Sequence, residues 1–253
     1  MSSKTIRKRL DVLLVERNLA ESRQKAQAMI LAGEIEVDGK KAEKAGVTVA
    51  ESVHIEVHSR LQKYVSRGGF KLEGALEDFS VSAQGRTCLD VGSSTGGFTD
   101  CLLQHGATRI YAVDVNTDQI AWKLHQDARV VLIKKNAREL SQEDVNEQVD
   151  LVVADVSFIS VKKVLPGACA CARPEADMLI LIKPQFELER EDVGKGGIVR
   201  EPELHKVAIA SVRGAAESLG LTVLGVTPSR LTGAEGNQEY FLHARKVAKV
   251  ESH

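Results

Sequence analysis

Apolar residues recur along this chain in two regimes. Over residues 7–58 the spacing is first helical, with Leu10, Leu13 and Leu14 in one stretch and Ala26, Ile30 and Leu31 in the next. Ser22 stands where a helix cap belongs, and Gly33 where the helix must end. Ile35-Glu36-Val37 then alternates as a strand, and Asp38-Gly39 is a tight-turn signal. Val47 and Val49, followed by Val53, Ile55 and Val57, predict two more short strands. From residue 71 onward, helical stretches alternate with runs that are apolar on both faces. Strands are expected at Thr87–Val91, Arg109–Val113, Val130–Ile133, Asp150–Ala154, Met178–Ile182, Thr222–Thr227 and Glu239–His243. Helices are expected at Lys71–Phe79, after the glycine run near residue 95, and over Pro202–Leu219.

Such a succession predicts an α/β fold: a Rossmann-like, doubly wound, mostly parallel seven-stranded sheet, preceded by a small N-terminal α+β domain. The last two strands lack a helix between them and predict an antiparallel hairpin at one end of the sheet. The polar, glycine-containing stretch between the two regimes reads as a boundary. The division is 1–60 for the small domain, 61–70 for a basic linker, 71–247 for the large domain and 248–253 for a tail.

Charge changes the picture. The whole chain carries a net −1, yet residues 1–72 hold 14 Lys+Arg against 9 Asp+Glu, and the remainder 20 against 26. A basic module joined to an acidic one suits docking on a polyanion by the first. Cys88, Cys101, Cys169 and Cys171 read as small core residues, and no metal-ligand spacing is present. The charged opening is followed by no apolar signal region, and no stretch has the length to cross a bilayer. The expectation is a cytoplasmic protein with reduced thiols and no bound metal.

Chemistry enters at Asp90-Val-Gly-Ser-Ser-Thr-Gly-Gly-Phe98. Glycines after a strand let backbone approach a ligand, and ligands bind beyond the carboxyl ends of parallel strands. Ser94 stands where a dinucleotide fingerprint needs glycine, so Asp-x-Gly-x-x-x-Gly-Gly suits S-adenosylmethionine better. The expected cofactor-binding set is Asp90 for the methionine ammonium, the loop residues Gly92, Ser93, Ser94, Gly96, Gly97 and Phe98, and Asp114 for the ribose. Asn136, after the third strand, is expected at the adenine edge, or else is a turn asparagine. Asp114 follows Gly92 by 22 residues, at the end of the next strand.

Asp155 and Lys183 each follow a buried strand and so share the sheet edge beside that loop. Lys71 opens a helix expected to flank this edge, and Glu239 begins the last strand. A single charge after a strand is often a solvated cap; here the four contexts agree. They suit methyl transfer to a ribose hydroxyl, a weak acid that must lose its proton. A lysine accepts that proton only as the neutral amine, which a neighbouring cation promotes and carboxylates oppose.

Arg9-Leu-Asp, Ser22-Arg-Gln-Lys-Ala and Ile30-Leu-Ala-Gly-Glu-Ile-Glu-Val-Asp-Gly39 resemble the RNA-binding fold first known in ribosomal protein S4. Tyr64–Leu72, Leu89–Thr99, Ala154–Ser160, Ile182–Phe186 and Gly236–Tyr240 resemble the TlyA family of ribosomal RNA 2′-O-methyltransferases, also called haemolysin-like, whose catalytic domain is of the FtsJ type. The resemblance covers nearly the whole chain. It implies that Lys71, Asp155, Lys183 and Glu239 occupy a catalytic Lys-Asp-Lys-Glu tetrad, that S-adenosylmethionine is the cofactor, and that the substrate is cytidine ribose in ribosomal RNA.

Arg7, Lys8, Arg9, Arg23, Lys25, Lys40 and Lys41, with Arg67 in the junction, are the expected RNA-binding set, touching phosphates rather than bases. Tyr64 and Phe70 are the nearest stacking aromatics. Lys195 lies in a glycine-rich loop that reads as a lid or substrate clamp, or else as a flexible connector. Two other readings are a non-catalytic RNA-binding assembly factor, which the intact tetrad opposes, and a membrane-active haemolysin, which the lack of a spanning or strongly amphipathic basic segment opposes.

Overall fold

The computed structural model describes residues 7–17, 19–20, 22–42, 44–57, 63–194, 196–233 and 236–247. The chain separates into two units, Met1–Lys63 and Tyr64–His253.

In the first unit, β1 (Arg7–Arg9), α1 (Leu10–Glu16), α2 (Arg23–Leu31), β2 (Ile35–Val37), β3 (Lys40–Lys41), β4 (Thr48–Ala50) and β5 (Ile55–Val57) follow in order. Ser22 caps α2 by accepting from the Lys25 amide, and Gly33 takes φ +70° beyond its end. Asp38 and Gly39, both at positive φ, close the β2–β3 hairpin. The apolar stripes of α1 and α2 meet β2 around Leu10, Leu14, Ala26, Ile30 and Ile35. β1 was not expected: its three residues are cations, and only antiparallel pairing with β4 makes it a strand.

The second unit runs α3 (Arg67–Asp78), β6 (Thr87–Val91), α4 (Gly97–Gln104), β7 (Arg109–Asp114), α5 (Trp122–His125), β8 (Val130–Lys134), β9 (Val149–Ala154), α6 (Leu165–Cys171), β10 (Ala172–Ile182), α7 (Pro184–Glu187), α8 (Pro202–Ser218), β11 (Leu221–Pro228) and β12 (Tyr240–Lys246). The seven strands lie in the order β11-β12-β10-β9-β6-β7-β8. β12 is antiparallel to both its neighbours; the pairs of β6 with β7 and β9, β7 with β8, and β9 with β10 are parallel. One face packs Leu72 and Leu76 of α3, Phe98 and Leu102 of α4 and Leu124 of α5. The other packs Leu165 and Ala168 of α6 and Val212 and Ala216 of α8. The sheet is thus covered on both sides, as its two-faced apolar strands require.

The expected linker over 61–70 needs correction. α3 begins at Arg67, so Lys71 sits in its second turn rather than opening it. Tyr64 is fully buried and donates to Glu73, while the Val65 amide donates to Asp100 of α4. Gly68 and Gly69 let this segment lie against Phe98 and Tyr64, an apolar anchoring that glycine-rich composition hides. The proposed 248–253 tail lies outside the described residues. All four cysteines are buried free thiols, and burial pushes Cys88 up to about 12. Among the described residues no helix is long and apolar enough to cross a membrane.

Away from the carboxyl edge, Asp177 of β10 is buried among Arg86, His243 and Arg245, at 2.8, 2.9 and 3.0 Å. Burial alone would raise this carboxyl; the hydrogen bonds from His243, Arg86 and Arg245 outweigh it and hold it well below the usual carboxylate range. Its stabilising effect is therefore present above the unfolded value near pH 4 and is lost as pH falls. Asp177→Asn is expected to cost about 3 kcal/mol at pH 7. The gap between wild type and variant should close below about pH 4; denaturant titrations across that range measure both.

Candidate active site

The four expected catalytic residues meet at one edge of the sheet. Asp155 directly follows β9 and Lys183 directly follows β10, which are parallel neighbours. Glu239 directly precedes β12, and the antiparallel register pairs Ile182 with Tyr240. The amino end of β12 therefore lies beside the carboxyl end of β10. Lys183 Nζ is 2.6 Å from Asp155 Oδ1, and Lys71 Nζ is 2.5 Å from Glu239 Oε2. Both lysine side chains are nearly buried, so each charge requires its partner. Lys183 also donates to Ser157 Oγ at 2.7 Å. Sequence reasoning missed Ser157; its signal was the Asp155-Val-Ser157 spacing that returns the hydroxyl to the same edge.

Beside this edge lies a cavity of about 460 Å³, lined among others by Gly92, Ser94, Asp114, Asn136, Asp155 and Phe158. That size suits a small-molecule ligand. Gly92 has φ +86°, and a Cβ there would stand 2.4 Å from the Asp155 carbonyl oxygen. The bare backbone is what lets the loop after β6 run alongside the residue after β9. Asp114 Oδ2 accepts from the Ser94 amide at 2.9 Å, and Oδ1 accepts from the Asn116 amide at 2.9 Å and from Gln119 at 3.3 Å. A carboxylate has about four acceptor positions, so a ligand hydroxyl can still join, with the long Gln119 bond the easiest to exchange. Asn136 lines the cavity and also caps the following turn by accepting from the Arg138 amide.

Other members of the expected cofactor set are placed differently. Asp90, Ser93, Gly96, Gly97 and Phe98 are not among the residues lining this cavity. A Cβ on Gly97 would meet Ser66 Oγ at 2.2 Å, and one on Gly96 would meet Leu124 Cδ1 at 2.2 Å. These two glycines serve the close packing of α4 on its neighbours. Phe98 is buried and stacks on Phe241. Asp90 is fully enclosed below the loop; Oδ2 accepts from the Thr99 hydroxyl at 2.6 Å, while Oδ1 has no partner. Burial pushes this carboxyl up to about 7, against the Thr99 hydrogen bond.

In the first unit the basic set is partly neutralised. Lys8 pairs with Glu16 and Glu51, and Arg9 and Arg23 both pair with buried Asp11. Arg7 donates to the Thr48 carbonyl. Lys25, Lys40 and Lys41 make no ion pair among the described residues, and Lys40, Lys41 and Lys44 line a separate cavity of about 320 Å³. Arg67 belongs to the second unit and donates to the Thr232 carbonyl. Tyr64, sealed in the core, cannot stack on a base, and Phe70 packs edge-on against it. Lys195 lies outside the described residues. Beyond it, the Gly197 carbonyl and the Val199 amide are both bonded to the buried Asn237 side chain.

Residues 64–246 match the FtsJ-like methyltransferase model and residues 8–55 the S4 domain. Fold and site therefore define an FtsJ-like methyltransferase carrying an S4 domain. The chain is 46% identical, over 94% of its length and 90% of the relative's, to the 16S/23S rRNA (cytidine-2′-O)-methyltransferase TlyA of Mycobacterium tuberculosis. It is 42% identical to Hemolysin A of Brachyspira hyodysenteriae, covering 93% of this chain and 98% of that one. A solved structure from Streptococcus thermophilus, described as a hemolysin, superposes with a TM-score of 0.76 at 37% identity, over 96% of this chain and 90% of that one. The chain belongs to the TlyA family.

Gly92→Ala tests the junction between loop and tetrad. A side chain there is strained at this φ and collides with Asp155. The variant is expected to lose about 2 kcal/mol of stability, read from the denaturation midpoint, and to displace the Asp155–Lys183 pair.

Proposed function

We propose that this protein methylates the 2′-hydroxyl of cytidine in ribosomal RNA, using S-adenosylmethionine. The observation that carries the proposal is the two ion pairs Lys183–Asp155 and Lys71–Glu239 at one sheet edge, the first of them reaching the Gly92 cavity through Asp155. The named activity of the M. tuberculosis relative supports it.

The cavity's donor set fits the cofactor. Asp114 would offer carboxylate oxygen to ribose hydroxyls and Asn136 would border the adenine end, while Asp90, enclosed beneath the loop and not on the cavity wall, would act on the ammonium as a counter-charge from below. When bound, S-adenosylmethionine supplies a methyl group already activated on a sulfonium. What remains for this chain is to align the hydroxyl and to take its proton. We assign the proton to Lys183, whose partner Asp155 lines the cavity; it would accept the proton as the neutral amine, its own proton having first left to solvent. Asp155 and Ser157 fix its Nζ from two directions. Lys71 and Glu239, paired with each other at the amino end of β12, would help hold the hydroxyl in line. Alignment of this kind contributes much of the rate when the donor is pre-activated. The S4 domain, with Lys25, Lys40 and Lys41 presented to solvent, would hold the RNA by its phosphates.

Ribosomal RNA incubated with the purified enzyme and labelled cofactor should acquire methyl groups on cytidine riboses, mapped by resistance to alkaline cleavage. Absence of ribose methylation in both subunits' RNA would refute the proposal. Lys183→Ala should cut methyl transfer by about 10²-fold or more while cofactor affinity stays unchanged; full turnover in that variant would remove Lys183 from its role. Asp90 gives a pH signature. A cation binds its ionised form, which grows as pH rises through about 7. Cofactor affinity should therefore rise roughly fivefold from pH 6 to 7.5, a rise already reduced by the ligand's α-amino group, which begins to deprotonate over this range. Calorimetry should show that rise in wild type and no rise in Asp90→Asn.

A further inference from the structure

A second cavity, of about 410 Å³, opens on the other side of the segment that follows β9, lined among others by Phe158, Lys163, Gln185, Phe186 and Arg190. It shares Phe158 and Ile159 with the cofactor cavity but contains none of the tetrad. Resting on the methyl-transfer reading above, we propose that this cavity holds the base of the nucleotide adjoining the methylated one in the RNA strand.

Three independent features carry the assignment. First, Phe158 is 89% exposed, more than any other large apolar side chain among the described residues. Its backbone is held at φ +65°, a conformation costly for a phenylalanine and found where surroundings enforce it for function. The ring lies 5.4 Å from that of Phe186, tilted by 50°. Two non-parallel rings leave an aromatic face free to take a flat partner, and bases splayed from single-stranded RNA stack on such faces. Second, Gln185 lines the cavity, and its side-chain carbonyl oxygen is enclosed without a hydrogen-bond partner among the described residues. An unsatisfied amide is costly, and by turning toward the cavity it would meet the donors of a base edge. Third, Lys163 and Arg190, on the same cavity, make no ion pair among the described residues. They are placed for the phosphates that flank a bound base.

The wall is also braced. The Glu187 carboxylate accepts from Ser160 Oγ at 2.6 Å and from the Val161 amide at 2.7 Å. It ties α7, which carries Gln185 and Phe186, to the segment that carries Asp155, Ser157 and Phe158. Because Gln185 lies two residues beyond Lys183, a strand with one ribose at the tetrad brings an adjacent nucleotide to this cavity. A base that must be unstacked to enter would make the enzyme sensitive to local RNA structure beside the target.

The test uses the full-length enzyme and RNA fragments spanning the mapped cytidine, either intact or with a single abasic ribose at the nucleotide before it, after it, or at the cytidine itself. For wild type, removing the base on one flank should lower kcat/KM about tenfold, the scale of a lost stacking contact. Phe158→Leu and Gln185→Ala should each lower kcat/KM on intact RNA, and should show no further loss when that flanking base is absent. S-adenosylmethionine affinity should be unchanged in both. Equal losses on intact and flank-abasic RNA would overturn the subsite, as would coupling confined to the abasic cytidine, which would place the target base there instead. Wild-type turnover on intact RNA is the control: its absence counts against the methyl-transfer reading, whereas its presence with uncoupled losses overturns the subsite alone.

Discussion

Four charges held out of water at one sheet edge set the terms for the rest of this protein. Lys183 with Asp155 and Lys71 with Glu239 are each tolerable only as pairs, because an isolated buried charge costs several kcal/mol. Pairing them ties together the ends of β9, β10 and β12 and the second turn of α3. Any slip in the β10–β12 register would send a lysine or a carboxylate to the wrong place. The chemistry and the topology therefore constrain each other: the tetrad needs this strand order, and the strand order is locked by the tetrad's ion pairs.

The glycines around the cofactor loop divide the work. Gly92 gives backbone room beside Asp155, which is a matter of site geometry. Gly96 and Gly97 give room for α4 against Ser66 and Leu124, which is a matter of packing. A single motif thus serves two physical purposes, and a mutation in either half disturbs the site by a different route. Asp90 sits between these roles. It is buried at a cost in carboxylate stability, with one oxygen satisfied by Thr99 and the other without a partner among the described residues.

In the N-terminal unit, folding consumes part of the charge that composition offers for binding. Asp11 is buried and gathers Arg9, Arg23 and Gln27 around it, and Lys8 is drawn to Glu16 and Glu51. The cations that remain for an external polyanion are fewer than a count of lysines and arginines suggests, and they include the tip of the β2–β3 hairpin. The same reduction removes Tyr64 from the surface: its ring fills a core that its basic, glycine-rich surroundings conceal.

Much was legible from local pattern. Apolar runs bounded by glycine placed every strand of the large sheet to within a few residues, except that β10 starts earlier, because period and turn chemistry are local properties. Asp155 and Lys183 were readable as edge residues because each follows a two-faced apolar run. Three matters were decided only by tertiary structure. β1 is a strand because β4 pairs with it. α3 reaches back to Arg67 because Phe98 and Tyr64 shelter its glycines. Glu239 stands next to Lys183 because β12 inserts antiparallel between β10 and β11; had β11 taken that position, the carboxylate would lie about 4.8 Å further off. Sequence fixes which residues carry charge and where strands end, since both follow from neighbours along the chain. Which ends meet depends on strand order, a long-range choice that no local pattern contains.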